Sequence, residues 1–198
     1  EYYDLSLSRE ELFKLCCMSQ FPISINSSFG DIAASVYGGW IAYTSFDREW
    51  VLKQRRHRSI TEMLKIPWRG LSVKSLLPPG RLKLVIGWTG IPASTLDLVA
   101  TVYSRKDQYA GYYEDFLQKS RECVTRIVGA FETGHIEGIL GVIGIHRHLL
   151  LKMSGVLGVE IETPLLAKLC DIAVKSGGSA KPSGAGGGDC GIVLLEGD

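Results

Sequence analysis

Hydrophobic and polar positions alternate along this chain with clear punctuation. Ser8-x-x-Glu11 is a capping box, because the Glu side chain can reach back to the cap amide. The pattern predicts a helix from about Arg9 to about Gln20, ended by Pro22, with Leu12, Leu15, Cys16 and Met18 toward a core. A second helix is predicted near Asp31, carrying Ile32, Ala33, Val36 and Tyr37, and Gly38-Gly39 interrupts it. Trp40 to Phe46 reads as a strand. Residues 47–70 are charged and poorly patterned. Leu82-Lys83-Leu84-Val85-Ile86 reads as a buried strand. Ser94-x-x-Asp97 is placed to cap a helix to about Tyr109. Three more helices are predicted near 112–132, 135–153 and 163–176, with breaks at Gly134 and Gly155. Thr163-Pro164 suits a cap followed by proline at the first helical position. Ile192 to Leu195 closes the pattern as a buried strand.

Pro78-Pro79-Gly80 is the sharpest break, and it predicts two domains, 1–80 and 81–198. The 198 residues suffice for one large domain or two small ones. A net charge of +1 gives no strong pull toward nucleic acid or an anionic membrane. No apolar run in this reading reaches the length of a membrane span. Lys53, Arg55, Arg56, His57 and Arg58 form a basic cluster, read as a solvated helix face. The cysteines number 5, with no C-x-x-C pair, and are expected reduced, in a cytoplasmic protein. The chain opens on Glu1, at the approach to a helix, and closes just after a strand. It is therefore expected to be part of a longer protein.

The stretch Ser179 to Gly191 carries the chemistry. Gly184, Gly186, Gly187, Gly188 and Gly191 crowd it beyond what a helix or central strand accepts. Successive amides in turn conformations form a concave nest for phosphate oxygens. Lys181 adds a cation and Ser183 a hydroxyl. A flexible linker is the competing reading. Gly-Lys-Ser/Thr does not follow, which excludes a Walker A loop, and a strand rather than a helix follows, which excludes the dinucleotide fingerprint.

Lys181-Pro182-Ser183-Gly184-Ala185-Gly186-Gly187-Gly188-Asp189 resembles the third motif of the GHMP kinases, the small-molecule kinases for galactose, homoserine, mevalonate and phosphomevalonate. Ser28-Phe29-Gly30-Asp31-Ile32-Ala33 resembles an acidic-loop motif of the phosphomevalonate kinases of Gram-positive type. So do Val36-Tyr37-x-Gly39-Trp40-Ile41-Ala42-Tyr43-x-x-Phe46-Asp47, Gly87-Trp88-Thr89-Gly90-x-Pro92-Ala93-Ser94 and Ile161-Glu162-Thr163-Pro164. The resemblance covers nearly the whole chain. The Trp88-Thr89-Gly90 element narrows it within the superfamily.

The resemblance implies an α+β, two-domain GHMP kinase fold. Its N-terminal α/β domain resembles a ribosomal-protein fold, its C-terminal domain is ferredoxin-like, and the active site lies between them. It implies ATP and Mg²⁺ as cofactors and transfer of phosphate to 5-phosphomevalonate, without nucleic acid or membrane partners. The family's first two motifs do not occur in the chain, nor do a final helix and strand. They are expected in segments before Glu1 and after Asp198, and residues 1–198 alone are expected to be inactive, with no metal ligand. By family position Asp31 is the catalytic residue facing the acceptor, with a helix cap as the competing role. Ser183, Gly184, Ala185, Gly186 and Gly187 would line the transferring phosphate with amides. Ser28 would donate to substrate. Ser94 has two readings, helix cap or substrate contact. Lys181 and Arg147 are candidates for the acceptor's phosphate. Ser27 replaces the family's usual glycine, and His146 an asparagine common in relatives. Mevalonate kinase, diphosphomevalonate decarboxylase and a non-catalytic sensor on the same fold are the alternatives.

Overall fold

The computed structural model describes residues 6–23, 27–92 and 95–197. The chain divides into two compact units, Glu1–Leu77 and Pro78–Asp198. In the first unit α1 runs Arg9–Gln20, α2 Gly30–Tyr37, β1 Trp40–Thr44, α3 Arg48–Arg55, α4 Ile60–Lys65 and β2 Ser72–Leu76. The Ser8–Glu11 capping box starts α1 where the sequence puts it. Its buried face, however, carries Phe13, Lys14, Cys17 and Met18, and Leu12 is exposed. Lys14 turns the helix, because its buried ammonium is fully engaged: it pairs with Glu10 at 2.5 Å and donates to the carbonyls of Leu64 and Ile66 at 3.1 and 2.8 Å. Residues 47–70 also hold more structure than their polarity suggests. Asp47 caps α3, and a second capping box, Ser59 with Glu62, starts α4. β1 and β2 pair antiparallel, Trp40 opposite Leu76. The basic cluster after Val51 is solvent-facing. The core is aromatic: Phe13, Phe21, Phe29, Phe46 and Trp68 meet edge-on or stacked, with Phe46 and Trp68 centroids 4.7 Å apart.

In the second unit β3 runs Leu82–Trp88, α5 Thr95–Arg105, α6 Ala110–Thr133, α7 Ile136–Leu157, α8 Pro164–Lys175, β4 Ser179–Pro182 and β5 Cys190–Glu196. The sheet order is β3-β5-β4, all antiparallel, so the last strand is the central one. β3 is an edge strand, and its Leu84, Val85 and Ile86 are exposed rather than buried. Buried-strand composition at this position does not bring burial, because β5 alone pairs with β3. Gly134 ends α6 in the left-handed region, as the sequence predicts. Gly155 instead lies inside α7, which continues to Leu157 and ends at left-handed Gly158. Thr163 caps α8 with Pro164 in its first turn.

By length and apolar composition α7 could cross a membrane, which the sequence reading did not anticipate. Its mid-helix Arg147 is ion-paired to carboxylates, and the helix packs on α6, β4 and β5.

Candidate active site

Two clusters hold the described site residues, one in each unit. In the first, Phe29 occupies the left-handed region at φ 58, alone in this among the described non-glycine residues. An L-residue pays about 1–2 kcal/mol there. Packing over-determines it: the Phe29 ring is fully buried, 5.5 Å from Phe21 and 5.4 Å from Phe46 by centroid. The Ser27 hydroxyl accepts from the Phe29 amide at 3.2 Å and supports the turn. The Tyr43 hydroxyl donates to the Ser28 carbonyl at 2.9 Å, and the Ser28 hydroxyl accepts from the Gly30 amide at 3.3 Å.

Phe29, not Asp31, is the N-cap of α2, and it caps without a side-chain bond. The competing reading of Asp31 as the cap is thereby removed. Asp31 sits in the first helical turn, exposed, where the positive end of the helix dipole favours a carboxylate. Among the described residues its carboxylate makes no hydrogen bond or ion pair. Burial pushes the Cys17 thiol up to about 12, with neighbouring Cys16 and then the Asp31 charge adding to it.

In the second unit the glycine stretch is a hairpin, β4 to β5, and not a linker. The Ser183 amide donates to the Cys190 carbonyl at 2.8 Å, Gly186 to Ser183 at 3.1 Å, and Gly187 to Ile161 at 2.8 Å. Each of these amides has one hydrogen, already given. The amides of Gly184, Ala185 and Gly188 have no acceptor among the described residues. The open set is therefore narrower than Ser183 to Gly187, and it gains Gly188. Gly184, Gly186, Gly187 and Gly188 all have positive φ, from 58 to 129. That is the backbone of an amide nest.

Two flanking segments hold the hairpin. Thr89 donates its amide to the Asp189 carbonyl at 2.9 Å and its hydroxyl to Asp189 and Gly188 carbonyls. Trp88 Nε1 donates to Asp189 Oδ1 at 3.0 Å. On the other side lies the 159–163 segment. The sequence offers both segments as motifs without revealing that they grip the hairpin. Only antiparallel pairing, Trp88 opposite Cys190, brings the first one there.

Lys181 Nζ donates to the Pro182 carbonyl at 2.8 Å, at the foot of the hairpin, and burial lowers its ammonium from the ordinary lysine value. Arg147 is held by carboxylates: Nε to Glu162 Oε2 at 2.8 Å, Nη2 to Glu162 Oε1 at 2.6 Å and to Asp171 Oδ1 at 2.9 Å. Its guanidinium is thus engaged within the protein through Nε and Nη2. His146 Nε2 meets the Ser120 hydroxyl at 3.0 Å. Ser94 lies outside the described residues. Among the described residues no cluster of three or more His, Cys, Asp or Glu could hold a metal ion.

Residues 135–198 match the family described as GHMP kinases, C terminal, the span that contains α7, α8 and the hairpin. The chain is 43% identical over 192 residues to the phosphomevalonate kinase of Streptomyces sp. strain CL190, covering 97% of this chain and 51% of that protein. It is a phosphomevalonate kinase homologue with a GHMP kinase C-terminal domain. The structure of the Lin0012 protein from Listeria innocua matches this homologue with a TM-score of 0.90 at 40% identity, over 95% of this chain and 53% of that one. Streptococcus pneumoniae phosphomevalonate kinase, solved with phosphomevalonate and AMPPNP, matches with a TM-score of 0.86 at 32% identity, over 99% and 56%. The homologue spans about half the length of the proteins it matches. Its mixed helix and sheet architecture is that of these kinases, as the sequence predicts.

Proposed function

We propose that the protein containing this chain transfers the γ-phosphate of ATP to 5-phosphomevalonate, giving ADP and 5-diphosphomevalonate. The observation that carries this reading is the hairpin nest, with the amides of Gly184, Ala185 and Gly188 open, in a chain so similar to a phosphomevalonate kinase. A phosphate oxygen of the acceptor attacks the γ-phosphorus, and the bond to the β-phosphate bridging oxygen breaks. Charge develops on the transferring oxygens, and fixed N–H donors stabilise it without reorganising. The three open amides are those donors, with the Ser183 hydroxyl beside them.

The acceptor phosphate has a second pKa of about 6, so it is largely ionised near neutral pH. A strong base is therefore unnecessary. Asp31 orients the attacking phosphate, and Ser28 donates to it. Lys181 supplies positive charge at the foot of the hairpin, and its bond to Pro182 fixes where that charge sits. Ser94 serves as substrate contact or cap.

ATP as phosphoryl donor is supported by the likeness to the Streptococcus pneumoniae structure with AMPPNP. Mg²⁺ is the metal such a transfer uses. The described residues offer no cluster to hold it, and no step above passes through it.

The test is ADP release by the intact protein with mevalonate, phosphomevalonate or diphosphomevalonate in turn. Release that depends on phosphomevalonate alone supports the proposal. Release with mevalonate, or with diphosphomevalonate and carbon dioxide, assigns the protein to the other kinase or to the decarboxylase. No release with any of them leaves a sensor.

A further inference from the structure

We propose that Arg147 is a positioning residue for the glycine hairpin, acting through Glu162 and the Ile161 carbonyl. The hairpin's internal bonds, Ser183 to Cys190 and Gly186 to Ser183, do not fix its shape alone. Its Gly187 amide is tied to the Ile161 oxygen at 2.8 Å. A Cβ on Gly186 would stand 2.3 Å from that same oxygen, and one on Gly188 would stand 3.3 Å from Thr163 Cγ2. The 161–163 segment is therefore the floor against which the nest is moulded. Whatever fixes that floor fixes where the open amides point.

α7 fixes it from one face, at two positions seven residues apart. Near the helix end, the Ser154 hydroxyl donates to the Val159 carbonyl and accepts from the Ile161 amide at 3.4 Å. Two turns earlier, Arg147 takes the Glu162 carboxylate in a two-point fork at 2.8 and 2.6 Å. Side-chain exposure is 16% for Arg147 and 3% for Glu162, so the pair is shielded from solvent. A planar fork of this kind constrains direction as well as distance, which a lysine cannot do. Asp171, on α8, adds a third bond from an exposed carboxylate, 60% accessible. That contact is an ordinary surface pair of little weight. The Glu162 carboxylate holds the guanidinium proton more tightly than usual, so Arg147 stays charged.

The kinetic consequence rests on the phosphoryl-transfer reading above, and the structural consequence does not. The experiment uses the intact protein with Arg147→Met, Arg147→Lys, Glu162→Gln and Asp171→Asn. Hydrogen exchange is read at the Gly187 amide, and steady-state kinetics are read with phosphomevalonate. Arg147→Met is expected to speed Gly187 exchange about tenfold or more. It should lower kcat by a similar factor while KM for phosphomevalonate stays within about threefold. Arg147→Lys should rescue neither, Asp171→Asn should change both less than about threefold, and Glu162→Gln should fall between. Should Arg147→Met not fold, the Glu162→Gln exchange and kcat decide in its place. A tenfold rise in KM with kcat and Gly187 exchange unchanged would make Arg147 a direct anion ligand and overturn the proposal. Faster exchange with unaltered kinetics would overturn it equally. If the unsubstituted protein releases no ADP, the functional reading falls, and Gly187 exchange still judges the clamp.

Discussion

The Gly187 amide donates to the Ile161 carbonyl at 2.8 Å, so the turn that offers open amides is shaped by a segment from before α8. Gly186 lies against the same oxygen, at φ +83, and an added Cβ would come within 2.3 Å of it. Backbone there cannot move aside cheaply. Gly186→Ala is expected to lose about 2–3 kcal/mol of stability and most activity. Gly184, at φ +58 with open space around it, gives the contrast. Gly184→Ala should lose only about 1 kcal/mol. Urea unfolding of the two variants checks the difference.

Asp31 is exposed and is not the cap of its helix, so little stability depends on it. Asp31→Asn should shift stability by less than about 1 kcal/mol through the helix dipole. Turnover should fall about hundredfold or more through lost orientation of the acceptor. Thermal unfolding and kcat, measured on the same preparation, separate the two effects.

Thr89 bonds two carbonyls of the hairpin through one hydroxyl. Thr89→Val keeps the shape and removes both bonds, at about 1–2 kcal/mol. Exchange at the Ser183 amide, which is tied to the Cys190 carbonyl, should quicken while β3 remains paired to β5, as amide hydrogen exchange would show.

Burial pushes the Cys17 thiol up to about 12 and the Cys170 thiol up to about 11. A raised thiol pKa means less thiolate, hence slower attack on a disulfide reagent. At pH 8 both should stay unreactive in the folded protein, with Cys16 and Cys190, which are partly exposed, labelled first. A thiol titration before and after denaturation gives the count.

His146 is lowered from 6.5 to about 4 by burial, with the Lys181 charge adding to it. Between those two values the unfolded chain takes up a proton that the folded chain does not. This contribution to stability is complete above about pH 6.5, declines as pH falls, and levels off below about pH 4. His146→Asn should flatten that part of the profile, as urea midpoints across the range would reveal.

The helix starts were legible because capping is local: Ser8 with Glu11 and Thr163 with Pro164 need only near neighbours. Ser59 with Glu62 was equally local, but the charged run around it concealed a helix. What the sequence could not convey was tertiary. Lys14 looks like a surface residue until α4 supplies carbonyls for it. Leu84 to Ile86 look buried until strand order leaves them at an edge. The hairpin was legible as an anion loop from its glycines, but which amides remain open depends on Ile161 and Cys190, whose positions no local pattern specifies. The pairing of Arg147 with carboxylates was not legible because its partners lie on another helix and a loop.

The central claim is that Asp31 and the glycine hairpin serve one phosphoryl transfer. Its most direct measurement is transfer of labelled γ-phosphate from ATP to phosphomevalonate by the intact protein, in a single turnover, for the native sequence, Asp31→Asn and Gly186→Ala. The account predicts labelled diphosphomevalonate from the native protein and a transfer step slowed about hundredfold or more in each variant. Transfer at the native rate in folded Asp31→Asn, or no labelled product from the native protein, would contradict it.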